Sequence, residues 1–331
     1  MRWTFRGEGL ALIAVAIFAG TYTATRLAVS GGIPPLANGV VRTAVAGLLG
    51  GMLLLLCRVR WPLASERWPL LAVGLATLIF PFGVGWAVKV LPSGQVAVAM
   101  TLLPLVTTVY AAWRGHGWPC VRFWYAGVVA AALVAVFALQ HSGTAHDGVT
   151  LAWNAPAAWI ALGAIVVAMA SAAVTYVEGS RLTRERPAWQ VISWSMVGCL
   201  PLTLPWSLWW LSTHAVAIAP SAWLGLLYGG AFSAWIGFFA WFTALAYLGV
   251  ARVSQLQYLQ PFLALGYGVL LLHESCTPFD LLLAAVVVGV IAWGRRQSVA
   301  SSVPTGGYTP CPPSSSPAAP ATLAPTPSLN C

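Results

Sequence analysis

Ala87–Ala112 reads AVKVLPSGQVAVAMTLLPLVTTVYAA, and Ala244–Val269 reads ALAYLGVARVSQLQYLQPFLALGYGV. One constant shift pairs Ala87 with Ala244, Leu91 with Leu248, Val96 with Val253 and Leu102 with Leu259. It also pairs Pro104 with Pro261 and Tyr110 with Tyr267. Apolar segments match easily by chance, so the two prolines and two tyrosines carry the weight. A weaker alignment sets Ala11, Leu12, Ala14 and Thr25 against Ala161, Leu162, Ala164 and Thr175. The chain therefore reads as two related halves, each with a proline inside an apolar segment.

The solvent for these halves follows from composition. Hydrophobic residues make up 59% of the 331 residues and charged residues 7%. An average soluble protein carries about 25% charged residues. So few charges cannot cover the surface of a chain this long, and lipid must replace water around most of it. The net charge of +9 is spread through short gaps between apolar runs. Nucleic-acid binding, which needs basic residues gathered on one face, is not expected. Cys57, Cys120, Cys199, Cys276, Cys311 and Cys331 form no CxxC pair and have no histidine at zinc spacing, so they read as lone thiols, with no metal or cofactor. No cleavable signal peptide is expected, and the first apolar run stays as the first helix.

A membrane helix needs about 20 mostly apolar residues. Ten segments meet or approach this: Gly9–Val29, Pro35–Cys57, Pro69–Val88, Val96–Trp113, Phe123–Gln140, Ala155–Val177, Val191–Leu211, Ala222–Leu248, Val253–Leu272 and Phe279–Gly294. They are continuously apolar, whereas a barrel strand would alternate. The expected class is an all-α integral membrane protein of ten transmembrane helices. With five helices per half, an odd number, the halves form two inverted five-helix repeats. Residues 1–8 form a cytoplasmic N-terminus, 9–145 and 150–298 the two repeats, and 299–331 a disordered tail rich in Pro, Ser and Ala.

With both termini in the cytoplasm, the inner side receives Arg2, Arg6, Arg58, Arg60, Arg67, Arg114, Arg122, Arg181, Arg184, Arg186, Arg252, Arg295 and Arg296. Only Arg26, Arg42 and Lys89 fall outside or within helices. That asymmetry fits the rule that basic residues stay inside, and supports a multi-pass protein of the cytoplasmic (inner) membrane.

Four stretches carry a family resemblance: Ile17–Arg26 (IFAGTYTATR), Val41–Leu48 (VRTAVAGL), Leu91–Leu105 (LPSGQVAVAMTLLPL) and Leu248–Glu274 (LGVARVSQLQYLQPFLALGYGVLLLHE). Their order and doubling resemble the EamA-type ten-helix exporters of the drug/metabolite transporter superfamily, over roughly Gly9 to Arg296. The resemblance implies alternating access around a cavity lined by the first, third, fourth, sixth, eighth and ninth helices. It leaves the solute open among amino acids, drugs and other metabolites. Where the family often has a glutamate after the fourth helix, this chain has Arg114-Gly115-His116, which puts a role for that glutamate in doubt.

Secondary transporters with inverted repeats bind solute near the midplane, at interrupted helices. On the ninth helix, Ser254, Gln257, Tyr258 and Pro261 share one face, with Gln255 and Gln260 beside it. Amides are expensive against lipid, so this face should meet protein or a wet cavity. The plainer reading is hydrogen bonding that holds the bundle together. The matching face of the fourth helix has Ala97, Met100, Thr101, Pro104 and Thr108. Of the 18 tryptophans, several mark interface belts, whereas Trp86, Trp235 and Trp241, with Tyr22 and Tyr176, are candidates for an aromatic cavity wall. Such a wall suits flat aromatic or cationic solutes; packing against lipid or helices is the alternative. Arg42, about 10 Å inside the second helix by rise per residue, reads as an anchor to carbonyls or the outer interface. Its functional alternative is to bind a substrate carboxylate. The spacings Gly47/Gly51 and Gly225/Gly229 suit close helix packing within the monomer, with a weak homodimer as a lesser reading.

No Asp or Glu falls in the middle of a predicted helix, which argues against proton coupling through a buried carboxylate. Uniport, exchange or coupling through an end residue such as Glu178 stay open. No metalloprotease, serine-hydrolase or Walker motif is present. The leading expectation is a secondary transporter for a small-molecule solute, and not an enzyme. A membrane scaffold or sensor, then a membrane-embedded enzyme, are the rivals.

Overall fold

The computed structural model describes residues 2–91, 93–116, 124–125, 128–129, 132–133, 156–214, 218–248, 253, 256–273 and 277–295. The predicted fifth helix lies largely outside them, as do Ser254, Gln255, Glu274 and the tail. Every regular element among the described residues is helical. We number them α1 (Arg2–Ser30), α2 (Pro35–Leu56), α3 (Ala64–Val90), α4 (Ser93–Ala99), α5 (Leu103–Ala111), α6 (Pro156–Leu182), α7 (Ala188–His214), α8 (Pro220–Leu227), α9 (Gly237–Leu248), α10 (Gln260–Leu272) and α11 (Pro278–Arg295). Seven runs are long and apolar enough to cross a membrane: Gly7–Ser30, Pro35–Leu56, Ala64–Val90, Val96–Gly115, Trp159–Leu182, Ala188–His214 and Pro220–Tyr247. Gln260–Leu272 and Leu281–Val290 are shorter apolar helices.

Each predicted segment that the described residues cover is helical, with ends shifted by local chemistry. Pro35 opens α2, where a missing N–H costs nothing. The third helix starts at Ala64, five residues before the predicted start, because Glu66 takes the Leu63 N–H at 2.7 Å and caps the first turn. Pro69 and Pro81 in α3, and Pro201 and Pro205 in α7, lie within continuous helices. Neighbouring helices let a membrane span tolerate such breaks.

The aligned prolines have a shared local effect. Pro104 cannot donate to the Met100 carbonyl, nor Pro261 to that of Gln257. Leu103 N–H donates to the Met100 carbonyl instead, and Gln260 N–H to that of Gln257. The result is one 3₁₀ turn in each half, Met100–Leu102 and Gln257–Leu259, at positions that the sequence repeat superimposes.

Most of the packing runs between the halves. α3 lies along α6, and α1 along α8 and α9. α3 also meets α7, and α2 the run from α8 to Ile236. α5 packs on α6, and α1 on α10. Exchanging the halves turns each of these contacts into another in the set, while α2 with α7 maps onto itself. α2 and α7 run antiparallel: a Cβ at Gly47 would come 2.7 Å from Leu200, and one at Gly50 would come 3.0 Å from the Ser193 backbone.

Two ion pairs tie together one end of the bundle. Arg186 donates to both Glu66 oxygens at 2.7 and 2.8 Å, and this bond raises the arginine's pKa. Arg114 donates to Glu178 from Nε at 2.6 Å and from Nη2 at 3.3 Å, and Tyr110 adds its hydroxyl at 3.0 Å. The flanks expose large apolar side chains such as Leu55, Leu202, Leu208, Leu224 and Leu270, as lipid contact requires.

Candidate solute cavity

The helices that cross between the halves leave a cavity among them. It is narrow and is walled by Phe18, Phe80, Phe238, Tyr22 and Tyr176. Arg42, Thr21, Ser233, Thr77, Thr175 and Gln260 supply its polar groups. A second pocket shares Tyr22, Leu103 and Gln260 with the first, and continues to Thr101, Pro104, Gln257 and Pro261.

Local backbone places each polar group. Ser233 sits in a π-helical stretch, Tyr228–Ile236, that joins α8 to α9. Such stretches are frequent at functional sites because they displace side chains from the α register. Within it, Gly230 lets α2 approach: a Cβ there would stand 2.9 Å from the Arg42 carbonyl oxygen. Arg42 Nη2 donates to Ser233 Oγ at 3.1 Å, and the two hydroxyls of Ser233 and Thr21 are 2.7 Å apart. On the other side of the cavity, Thr77 and Thr175 place their hydroxyls 3.3 Å apart. Each hydroxyl also lies within bonding distance of a carbonyl of its own helix, Thr77 of Val73 and Thr175 of Ser171.

Two amides of the ninth predicted helix end on tyrosines of the first and sixth. Gln257 Nε2 donates to the Tyr176 hydroxyl at 3.2 Å, and Gln260 Nε2 to the Tyr22 hydroxyl at 3.1 Å. Tyr22 is almost wholly buried.

Of the candidates read from sequence, Tyr22, Arg42, Thr101, Pro104, Gln257, Gln260 and Pro261 line these two connected pockets. Arg42 is 2% exposed, and its partner is a side-chain hydroxyl of the other half. Trp241 is 1% exposed and stands behind the wall, against Tyr176 and Phe18. Trp235 packs on Phe239 and donates to Ser193 at 3.1 Å. Trp86 is 46% exposed and lies under the Lys89 ammonium, 4.9 Å from its ring centre. Ser254 lies outside the described residues, and of Tyr258 only the backbone is described.

Sequence reading passed over Thr21, Thr77, Thr175 and Ser233. A lone hydroxyl in an apolar helix has no distinctive pattern, since it commonly bonds its own helix carbonyl. Among the described residues, no group of three or more His, Cys, Asp or Glu could hold a metal ion, and no Asp or Glu lines the cavity.

An all-helical bundle with apolar flanks and an aromatic-walled cavity with a few polar groups between two halves has the form of a multi-pass membrane transporter. The EamA-like transporter family model matches twice, over residues 5–140 and 159–293, so the chain belongs to that family of the drug/metabolite transporter superfamily. A Bacillus subtilis (strain 168) protein described as the uncharacterized transporter YdeK is 38% identical over 298 residues, covering 89% of this chain and 99% of that protein. A solved structure titled only as the crystal structure of a protein superposes with a TM-score of 0.59 over 89% of this chain and 98% of that one. At 18% identity, it speaks for the fold alone.

Proposed function

We propose that the chain is a secondary transporter that exports small metabolites, amino acids or drugs across the cytoplasmic membrane by alternating access. Ten spans, inserted as two inverted five-helix repeats, place both termini in the cytoplasm. The observation that carries this reading is the position of the cavity, between the halves and beside both proline-marked 3₁₀ turns. Two halves that rock about their shared seam expose such a cavity to one side and then the other. Inversion is supported by the antiparallel run of α2 and α7, which are counterparts in the two halves. Counterparts that run antiparallel across a two-fold axis need that axis perpendicular to the helices, in the membrane plane. The seven spanning runs, the two shorter apolar helices and the predicted Phe123–Gln140 make the ten.

Orientation is supported by charge. Arg186 with Glu66 and Arg114 with Glu178 join the segments that also hold Arg58, Arg60, Arg67, Arg181 and Arg184 at one end. Counterflow in proteoliposomes, screened with amino acids, cationic drugs, sugars and organic acids, tests the transport reading. Flux that a preloaded solute accelerates supports it, and leak-level flux across the whole panel argues for a non-transporting scaffold.

A further inference from the structure

The cavity contains one cation and, among the described residues, no anion. We propose that the Arg42 guanidinium receives the carboxylate of a small organic monoanion whose apolar body lies between Phe18, Phe80, Tyr176 and Phe238. This rests on the reading of the cavity as the solute path, and names the solute class.

Three observations lead to it. Arg42 is 2% exposed and about 10 Å along α2 from Pro35 by rise per residue, too deep for its head to reach bulk water. Among the described residues, Nη2 is the one guanidinium nitrogen with a partner, the Ser233 hydroxyl. Nε and Nη1, with three N–H between them, have none among those residues. A buried guanidinium in that state favours an incoming anion, because much of its desolvation has already been met in folding.

The remaining wall sorts solutes further. Thr77 and Thr175 are neutral hydroxyls already engaged with each other and with their own helix carbonyls. They do not form a second anion site. An ammonium group would meet Arg42 at short range in a low dielectric, with no carboxylate on the described wall to offset it. That disfavours cationic drugs, and leaves the ammonium of a zwitterionic amino acid without a countercharge. Five aromatic side chains favour a flat or branched apolar body over a sugar.

The test uses the purified full-length protein in nanodiscs. Its unfolding temperature is followed with monocarboxylates from acetate to phenylacetate, each beside its uncharged amide and its cationic amine. The proposal requires that at least one carboxylate raises the unfolding temperature in a saturable way, while its amide and amine do not. In Arg42→Gln that carboxylate should bind at least about ten-fold more weakly, the equivalent of one charge-assisted hydrogen bond, and Arg42→Lys should recover part of the loss. No response to any carboxylate overturns the proposal, as does an equal response to the amines or unchanged affinity in Arg42→Gln. Should Arg42→Gln fail to fold, the charge ranking in the wild type decides alone. Counterflow then separates the two readings. A carboxylate that binds but is never moved sinks transport and leaves the site. Flux of some other solute that Arg42→Gln leaves untouched sinks the site and leaves transport.

Discussion

Thr21 and Ser233 stand 212 residues apart in the chain, and their hydroxyl oxygens meet at 2.7 Å. The pair joins α1 to the π-helical stretch after α8, where the first half touches the second. Thr77 and Thr175 do the same on the opposite junction, between α3 and α6. Hydroxyl pairs thus mark both seams that the exchange of halves relates.

Ser233 also accepts from Arg42, so its loss should be felt twice. Ser233→Ala is expected to destabilise the fold by about 1–3 kcal/mol, the cost of leaving a buried donor unpartnered. Solute flux should fall with it. Ser233→Thr keeps the oxygen and should behave close to wild type. Scanning fluorimetry of the solubilised protein reads the first effect, and counterflow the second.

The seams also depend on backbone approach. A Cβ at Gly83 would overlap the Ala164 carbonyl oxygen on α6, and one at Gly225 would overlap the Ala24 carbonyl oxygen on α1. Among the described residues, nothing stands within 4 Å of a Cβ built at Gly163. Gly83→Ala and Gly225→Ala should each cost about 1–3 kcal/mol by overpacking, whereas Gly163→Ala should be neutral or slightly stabilising. Equal unfolding temperatures for all three would contradict the close packing of α3 on α6 and α8 on α1.

Gln257 and Gln260 present amides to Tyr176 and Tyr22 at the cavity edge. Gln257→Leu and Gln260→Leu preserve volume and remove one hydrogen bond each, worth about 1 kcal/mol in stability. The fold should survive both changes. Transport should fall by about ten-fold or more if the cavity is the path, since 1.4 kcal/mol of solute binding is one decade. Initial rates in inside-out vesicles, normalised to protein amount, are the measurement. Unchanged rates in both variants would count against the cavity.

Cys57 is exposed at the end of α2, next to Arg58, whereas Cys199 is buried. In a variant that keeps Cys57 as its single cysteine, a membrane-impermeant maleimide should label inside-out vesicles and spare intact cells. The reverse pattern would turn the proposed orientation over.

The helices were legible because lipid leaves little choice. A backbone in hydrocarbon must satisfy its own hydrogen bonds, so continuous apolar runs such as Pro35–Leu56 become helices whatever their neighbours are. That the two helices are interrupted was legible for a similar reason: Pro104 and Pro261 act on their own carbonyl partners, four residues back. The 3₁₀ form of the turns came from the structure. The amide face with Gln257 and Gln260 stood out because its polarity is costly in lipid. The tryptophans were harder to read, because one residue type serves a cation contact at Trp86, core packing at Trp241 and a helix junction at Trp235.

The sequence by itself determined the solvent, the helical class, the doubling of the chain and the two places where helices are interrupted. These depend on composition and on residues within a turn of one another. Only the tertiary structure decided that Arg42 of the first half meets Ser233 of the second, that Thr77 meets Thr175, and that Tyr22 and Tyr176 take the two amides. Helical periodicity states which face a residue occupies. It is silent about which face of another helix, often more than a hundred residues away, will be packed against it.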